Sequence, residues 1–443
     1  MKRHDKQGDG LVAIPSKIEK VYKVRDPIYG FVKLDAQEMD IVNSKYYQRL
    51  RRIKQLSLTD MVYPGATHTR FEHSLGVVQM ASDMFDSIVG KEANLRRLGF
   101  KQTSLPRIKK IIRLAALLHD IGHAPFSHAG EGSMPFLLKS DVRYEAGKNK
   151  RYEHEDYSIA AIKFIFRDYI ENHRIGESLG IKAEDITGLL GDKTVLPTRT
   201  SLIWGSLISG QLDADRADYL LRDSLHLGVD YGTYDRNRLV NCITLGKSDE
   251  ASDCVLAIEK GGWHVAESLV IARYQMFSQV YFHPVRRAFD HHVECATKEV
   301  LKNLKFKDGL FPTPTSVKNV KKYLELDDWT MHGAFKCGKG GEHGRIILTR
   351  IPYKCKKEWD SELSKRDKDK VTRDLQKVDG FLDTGAITKW YKLDKDITIF
   401  DELTERSYPL SYKSKLVSVM PGLPKTTRLF ISQEGEGEKY EFK

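Results

Sequence analysis

Apolar residues recur every three or four positions through much of the first 304 residues, which is the spacing of helices that bury one face. "THTRFEHSLGVVQMASDMFDSIV" places apolar side chains at 71, 75, 78, 84, 85 and 88, with Thr69 as a cap and Glu72 three residues on. "RIKKIIRLAALLHDIG" is more strongly apolar and predicts a buried helix that Gly122 and Pro125 terminate. "HEDYSIAAIKFIFRDYI", "SGQLDADRADYLLRDSLHLG" and the long stretch from Trp263 to Leu304, broken at Pro284, complete a helical region. Before it, "DPIYG" predicts a turn after a short extended segment, and "KYYQRLRRIKQL" reads as helix. Beyond residue 304 the texture changes: "GRIILTRIPY", "DITIF" and "TRLFIS" are short β-rich runs, while "CGKGGEHG" and "SELSKRDKDK" read as exposed loop or helix surface. The expected fold is mainly α, with a leader over 1–22, a helical core over 23–304 and a smaller α+β lobe over 305–443.

Composition narrows the class. With 443 residues, 40% hydrophobic and 30% charged, the chain can bury a sizeable core. The start is too polar for a secretion signal and no apolar run reaches membrane-spanning length, so a cytoplasmic protein without a membrane partner is expected. Five scattered cysteines without a CxxC pair predict neither a disulfide framework nor a zinc-thiolate motif.

The charge of +11 is uneven. Residues 1–110 hold 21 Lys and Arg against 12 Asp and Glu; 111–300 hold 22 against 27; 301–443 hold 29 against 22. Basic ends suit a polyanion such as nucleic acid, and equally suit solubility, so both readings stay open.

The acidic middle surrounds "LLHDIGHAPFSH". His119 and Asp120 leave a buried helix side by side, and imidazole with carboxylate suits Mg, Mn, Fe, Ni or Zn. Two donors are too few, so His73 and Asp215, on other predicted helices, are the candidates to complete the set. Taken singly, His73 would more often be a satisfied buried histidine and Asp215 a salt-bridged surface residue.

The order His, His-Asp, Asp is that of the HD-superfamily metal-dependent phosphohydrolases, which this sequence resembles at His73, His119, Asp120 and Asp215. "RDPIYGFVKLD", "YPGATHTRFEHSLGV", "AALLHDIGHAPFSH", "YEHED", "QLDADRADYLLRDSLHLGVDYGTYD" and "RYQMFSQVYFHPVRRAF" are similar to successive blocks of the deoxynucleoside triphosphate triphosphohydrolases, from about residue 23 to 300. No sterile alpha motif fits in the leader, so the resemblance leans to the bacterial single-domain form. It implies cleavage of a dNTP at the α-phosphorus, releasing deoxynucleoside and triphosphate.

The resemblance also implies roles. His128 would protonate the leaving oxygen with Glu131 orienting it, and His123 and His154 would line the phosphates. Arg70 and Arg216 would supply cations. Gln55 and Asp223 would bind the 3′-hydroxyl, Tyr219 and Leu56 would line the sugar pocket, and Phe289 would stack on the base. Lys45, Arg49, Arg51, Arg52 and Lys54 form a basic segment that reads either as a polyanion site or as a solvated helix face. In the family this segment helps form an inter-subunit guanine-nucleotide site, for dGTP or GTP, that promotes an active tetramer. Asn43, Gln48 and Arg51 would be its base-reading residues here, and a homo-oligomer, dimer or tetramer, is the expected assembly.

A nuclease or phosphodiesterase acting on single-stranded nucleic acid is the alternative for the same metal set. A scaffold with a vestigial site is the non-enzymatic one.

Overall fold

The computed structural model describes residues 20–247, 254–360, 363–375, 378–384, 396–420 and 426–433. Most of the expected leader lies outside the described residues. The chain opens with an antiparallel hairpin, β1 (Tyr22–Asp26) and β2 (Gly30–Leu34). Asp26 accepts the backbone N–H groups of Ile28 and Tyr29 at the turn, and Gly30 takes a φ of 74°. The segment read as helix at Lys45 gives only short turns over Lys45–Gln48 and Arg49–Arg52.

Three helices frame the centre of the molecule. The His73 helix (Arg70–Val89) starts with the Glu72 carboxylate accepting the Thr69 N–H at 3.1 Å. It packs on the His119 helix (Leu105–Leu118), whose Ile108, Ile111, Ile112 and Leu114 through Leu118 are all buried. Its other neighbour is the Asp215 helix (Ala214–Leu227), capped by Asp213, which accepts the Arg216 N–H. Gly76 sets that second contact: a Cβ there would lie 2.0 Å from Asp218 Oδ1. Only glycine lets the two helices come this close.

Gly122 has a different part from the helix-breaking one expected of it. The His119 helix already ends at Leu118, and a Cβ on Gly122 would meet the His154 carbonyl and the Ser158 nitrogen, both at 2.3 Å. The glycine thus admits the helix His154–Ala161 against the turn that carries His123.

The two halves separated in the sequence reading are not separate in space. Strands β3 (Ile243–Lys247) and β4 (Cys254–Glu259), unforeseen inside the helical region, join β7 (Thr398–Asp401) and β8 (Arg406–Pro409) in one sheet of order β3-β4-β7-β8. A second sheet places β9 (Thr427–Ile431) between β5 (Lys354–Trp359) and β6 (Gly380–Asp383). Phe311, Val320, Tyr323, Met331 and Phe335 lie in the same apolar core as the HD-like helices. "GRIILTRIPY", read as strand, is instead helical over Gly341–Thr349, where Ile346 and Ile347 turn inward.

Candidate metal centre and histidine pocket

His73 is wholly buried, its Nδ1–H donating to Asp218 Oδ2 at 2.8 Å and its Nε2 facing Asp215 Oδ1 at 3.0 Å. Burial opposes charge on the ring, yet the Asp215 and Asp218 contacts outweigh it and push its pKa up to about 10. His119 Nδ1–H donates to the Ala116 carbonyl at 2.8 Å, which leaves the Nε2 lone pair pointing inward. That Nε2 is buried and makes no hydrogen bond, although Asp120 Oδ1 and Asp215 Oδ1 stand 3.2 and 3.7 Å away.

Donor atoms of His73, His119 and Asp215 all lie within 4.8 Å of one another. Asp120 adjoins them, with Oδ2 3.6 Å from His73 Nε2. Burial works against the Asp120 carboxylate, but Arg70, His119 and His123 hold its pKa well below the usual range. Asp215 is likewise held far down, by His119 and His73 against burial. Two anionic carboxylates and two imidazole nitrogens, that of His119 without a hydrogen bond and that of His73 able to exchange its proton for a cation, are a donor set that fits a divalent ion.

Asp120 also connects this centre to a second cluster, through His123 Nε2 at 3.3 Å. The His123 and His154 rings stack with centroids 3.7 Å apart, and His128 meets both edge-on. Glu131 Oε1 accepts from His154 Nδ1 at 2.6 Å and from His128 Nδ1 at 3.1 Å. A 3-10 turn over Ser127–Ser133 spaces His128 and Glu131 for this contact. Burial, Arg70 and His154 keep His123 neutral, far below its ordinary pKa. His154 goes the other way: Glu155 and Glu131 overcome its burial and raise it to about 9. One stacked pair thus holds a neutral ring against a cationic one.

The turn that delivers His128 is strained. Phe126 and Ser127 have φ of 61° and 55°, a left-handed conformation that costs about 1–3 kcal/mol for each non-glycine residue. Asp328 compensates by accepting the N–H of Phe126 at 2.7 Å and of Lys54 at 2.9 Å. Ser127 Oγ donates to the Lys54 carbonyl at 2.6 Å.

The remaining candidates separate by exposure. Arg70, 4% exposed, donates to Asp120 at 2.5 Å and to Ser127 at 2.8 Å. It therefore reaches any ligand chiefly through Asp120. Arg216 is paired with Asp213, and Arg273, not anticipated from the sequence, is buried with a contact to Gln211 at 3.3 Å. Gln55 and Leu56 are nearly buried, and Gln55 Oε1 has no hydrogen-bond partner. Asp223 is engaged at both oxygens, by His68 Nε2–H at 2.7 Å and the Tyr281 hydroxyl at 2.5 Å. Tyr219 is half-buried, edge-on to Tyr281. Phe289 corrects the expectation of base stacking: it has no exposed surface, so its ring packs in the core and presents no face to a ligand.

The basic segment divides between buried and exposed cations. Arg49 is fully buried, donating to the carbonyls of Leu326, Ile121 and His123. Arg52 pairs with Asp327 and Lys54 with Asp60. Asn43 and Arg51 are exposed, Arg51 lying 3.5 Å over the Phe71 ring and donating to Gln48 Oε1 at 2.8 Å.

Comparison with known proteins agrees with this geometry. Residues 70–188 match the HD domain and residues 234–312 the HD associated region. An uncharacterized protein of Methanocaldococcus jannaschii is 37% identical over 287 residues, 64% of this chain and 51% of that protein. The deoxynucleoside triphosphate triphosphohydrolase SAMHD1 homolog of Dictyostelium discoideum is 30% identical over 307 residues, 69% of this chain and 53% of its own. The chain spans about half the length of the curated relatives it matches. A crystal structure of a hypothetical protein from Aquifex aeolicus superposes with a TM-score of 0.69 at 27% identity, covering 94% of this chain and 97% of that one. No helix among the described residues is long and apolar enough to cross a membrane.

Proposed function

On the premise that this chain is an HD-superfamily, dNTPase-like protein, we propose that it hydrolyses deoxynucleoside triphosphates to deoxynucleoside and inorganic triphosphate. The observation that carries the reading is adjacency. The donors of His73, His119 and Asp215 stand beside a histidine pocket organised by Glu131, with Asp120 in contact with both.

His73, His119, Asp120 and Asp215 would hold a divalent ion, Mg, Mn, Fe, Ni or Zn. Such an ion polarises a phosphoryl oxygen and lowers the pKa of water from 15.7 toward about 7. The residues around it supply the rest. Water gives up a proton to solvent as it attacks the α-phosphorus, a phosphorus–oxygen bond forms, and the bond to the 5′-oxygen breaks. His128, held by Glu131, gives its proton to that departing oxygen. His154, cationic below about pH 9, faces the triphosphate charge while neutral His123 offers hydrogen bonding. Arg216 adds a further cation.

Gln55 Oε1, buried and unpartnered, suits a sugar hydroxyl. Asp223, already bonded to His68 and Tyr281, would share a lone pair with the 3′-hydroxyl. Tyr219 and Leu56 would pack against the sugar. A dGTP or GTP activator at Asn43, Gln48 and Arg51, and with it a dimer or tetramer, belongs to the same proposal. A bound guanine would have to compete with the Arg51–Gln48 contact.

The test is product analysis. Purified protein is incubated with each dNTP, singly and mixed, with Mg or Mn. Triphosphate and deoxynucleoside are expected, and a silence with single dNTPs that mixtures relieve would indicate activation. Shortened oligonucleotides from single-stranded DNA or RNA, without triphosphate release from dNTPs, would favour the nuclease reading instead.

A further inference from the structure

A second cluster of metal-ligating side chains lies away from the HD centre. His291 and Cys295 sit one turn apart on the Phe289 helix (Pro284–Asn303), and so share a face. His343 comes from the helix Gly341–Thr349, which packs along it. One donor atom from each lies within 4.8 Å of the other two, and all three residues are half-buried.

We propose that His291, Cys295 and His343 form a second metal site, for a zinc-class transition ion, that staples the Phe289 helix to the His343 helix.

The distances support this. Metal–nitrogen bonds of about 2.0–2.1 Å and metal–thiolate bonds of about 2.3 Å place tetrahedral donors roughly 3.3–3.6 Å apart. His291 Nε2 and Cys295 Sγ are already at 3.7 Å. Modest rotation of His343 completes the approach, and a fourth position stays open for water.

The surroundings hold the ligands without occupying them. Phe381 stacks on the His291 face with centroids 3.7 Å apart, which fixes the ring and leaves its edge free to coordinate. His292 is not counted as a donor. Its Nε2 accepts the Tyr353 N–H at 3.3 Å, so its Nδ1–H donates to His343 Nδ1 at 2.8 Å, a contact that His343 would exchange for the ion.

Charge agrees as well. Burial and the neighbouring His343 hold the His291 pKa down, and burial also lowers that of His343. The Cys295 thiol must give up its proton to the ion to bind as thiolate. A thiolate with two imidazoles selects a softer ion than the nitrogen–oxygen set at the HD centre.

Cobalt(II) tests the site independently of any hydrolase activity, because thiolate–cobalt charge-transfer absorption cannot arise from His73, His119, Asp120 or Asp215. The full chain carrying His73→Ala and His119→Ala is titrated with cobalt, then with zinc. The band should saturate at one equivalent and vanish as zinc displaces cobalt. It should be lost in Cys295→Ser, weakened at least tenfold in affinity in His343→Gln, and unchanged in Cys337→Ser, whose thiol is exposed. Circular dichroism confirms that each variant is folded. Absence of the band at excess cobalt, or its survival in folded Cys295→Ser, overturns the proposal.

Discussion

His73 Nδ1 lies 2.8 Å from Asp218 Oδ2, and that contact decides which nitrogen His73 offers to the centre. With one proton committed to Asp218, Nε2 faces Asp215 and Asp120, where a cation would replace its proton. Arg222 fixes Asp218 in turn, donating to both of its oxygens at 2.8 and 2.9 Å. Asp218→Asn should keep the shape but lose the charge that makes His73 a strong donor. Manganese affinity, read by titration, should fall about 10- to 100-fold, the usual size of such outer-sphere effects.

Glu131 holds two histidines with one oxygen. Glu131→Gln removes one of the two charges that keep His154 cationic, leaving Glu155, and weakens the orientation of His128. The turnover rate should drop by about 10²-fold or more, within the range of general acid–base contributions. The pH profile gives the sharper readout. In the wild type, KM for a triphosphate should rise as pH passes about 9, where His154 loses its proton. In the variant that rise should move toward the ordinary histidine range.

Asp328 supports the strained turn from a helix more than two hundred residues away in sequence. Asp328→Ala deprives Phe126 of the acceptor that pins its left-handed conformation. The turn should relax and carry His128 out of register with Glu131. Activity should fall at least tenfold, while manganese affinity at the HD centre stays within about twofold. Parallel assays of turnover and metal titration check this separation.

How much of this was legible in the sequence varied with the range over which each signal acts. His119 and Asp120 stand out because an apolar helix ends on them, and "THTRFEH" carries its capping signal locally. Asp218 does not stand out: "LDADRADYLLRD" holds Asp213, Asp215, Asp218 and Asp223, and only the approach permitted by Gly76 determines which one takes the His73 Nδ1 side. Arg49 was hidden among basic neighbours because its partners are carbonyls far along the chain. "GRIILTR" illustrates a different ambiguity. A short apolar run fits a strand or a buried helix, and packing decides. Strands β3 and β4 pair with each other locally, but β4 is held on its other edge by β7, about 140 residues on, a pairing that no local signal carries.

Glu38 makes a stability prediction. Its carboxylate is fully buried, yet Arg113 at 2.7 Å and Lys110 at 2.9 Å outweigh the burial and hold its pKa near 2, below the ordinary 4.5. A depressed carboxylate stabilises the fold above its unfolded pKa, and this contribution is lost as pH falls from about 4.5 through about 2. The difference corresponds to about 3 kcal/mol. Glu38→Gln leaves Lys110 with Asp35 and Arg113 with the Ser82 hydroxyl and the Lys33 carbonyl, and should lower stability near neutral pH by about 3 kcal/mol, the size of the lost charge interaction. It should also flatten the acid limb, as denaturant midpoints across the pH range would reveal.

If the chain hydrolyses dNTPs as proposed, water attacks the α-phosphorus and the 5′-oxygen leaves. Turnover of a dNTP in water enriched in heavy oxygen, with manganese and mass analysis of both products, tests it most directly. The predicted result is inorganic triphosphate carrying one heavy oxygen beside an unlabelled deoxynucleoside, lost together in Asp120→Ala. Label in the deoxynucleoside, or release of monophosphate with pyrophosphate, would contradict it.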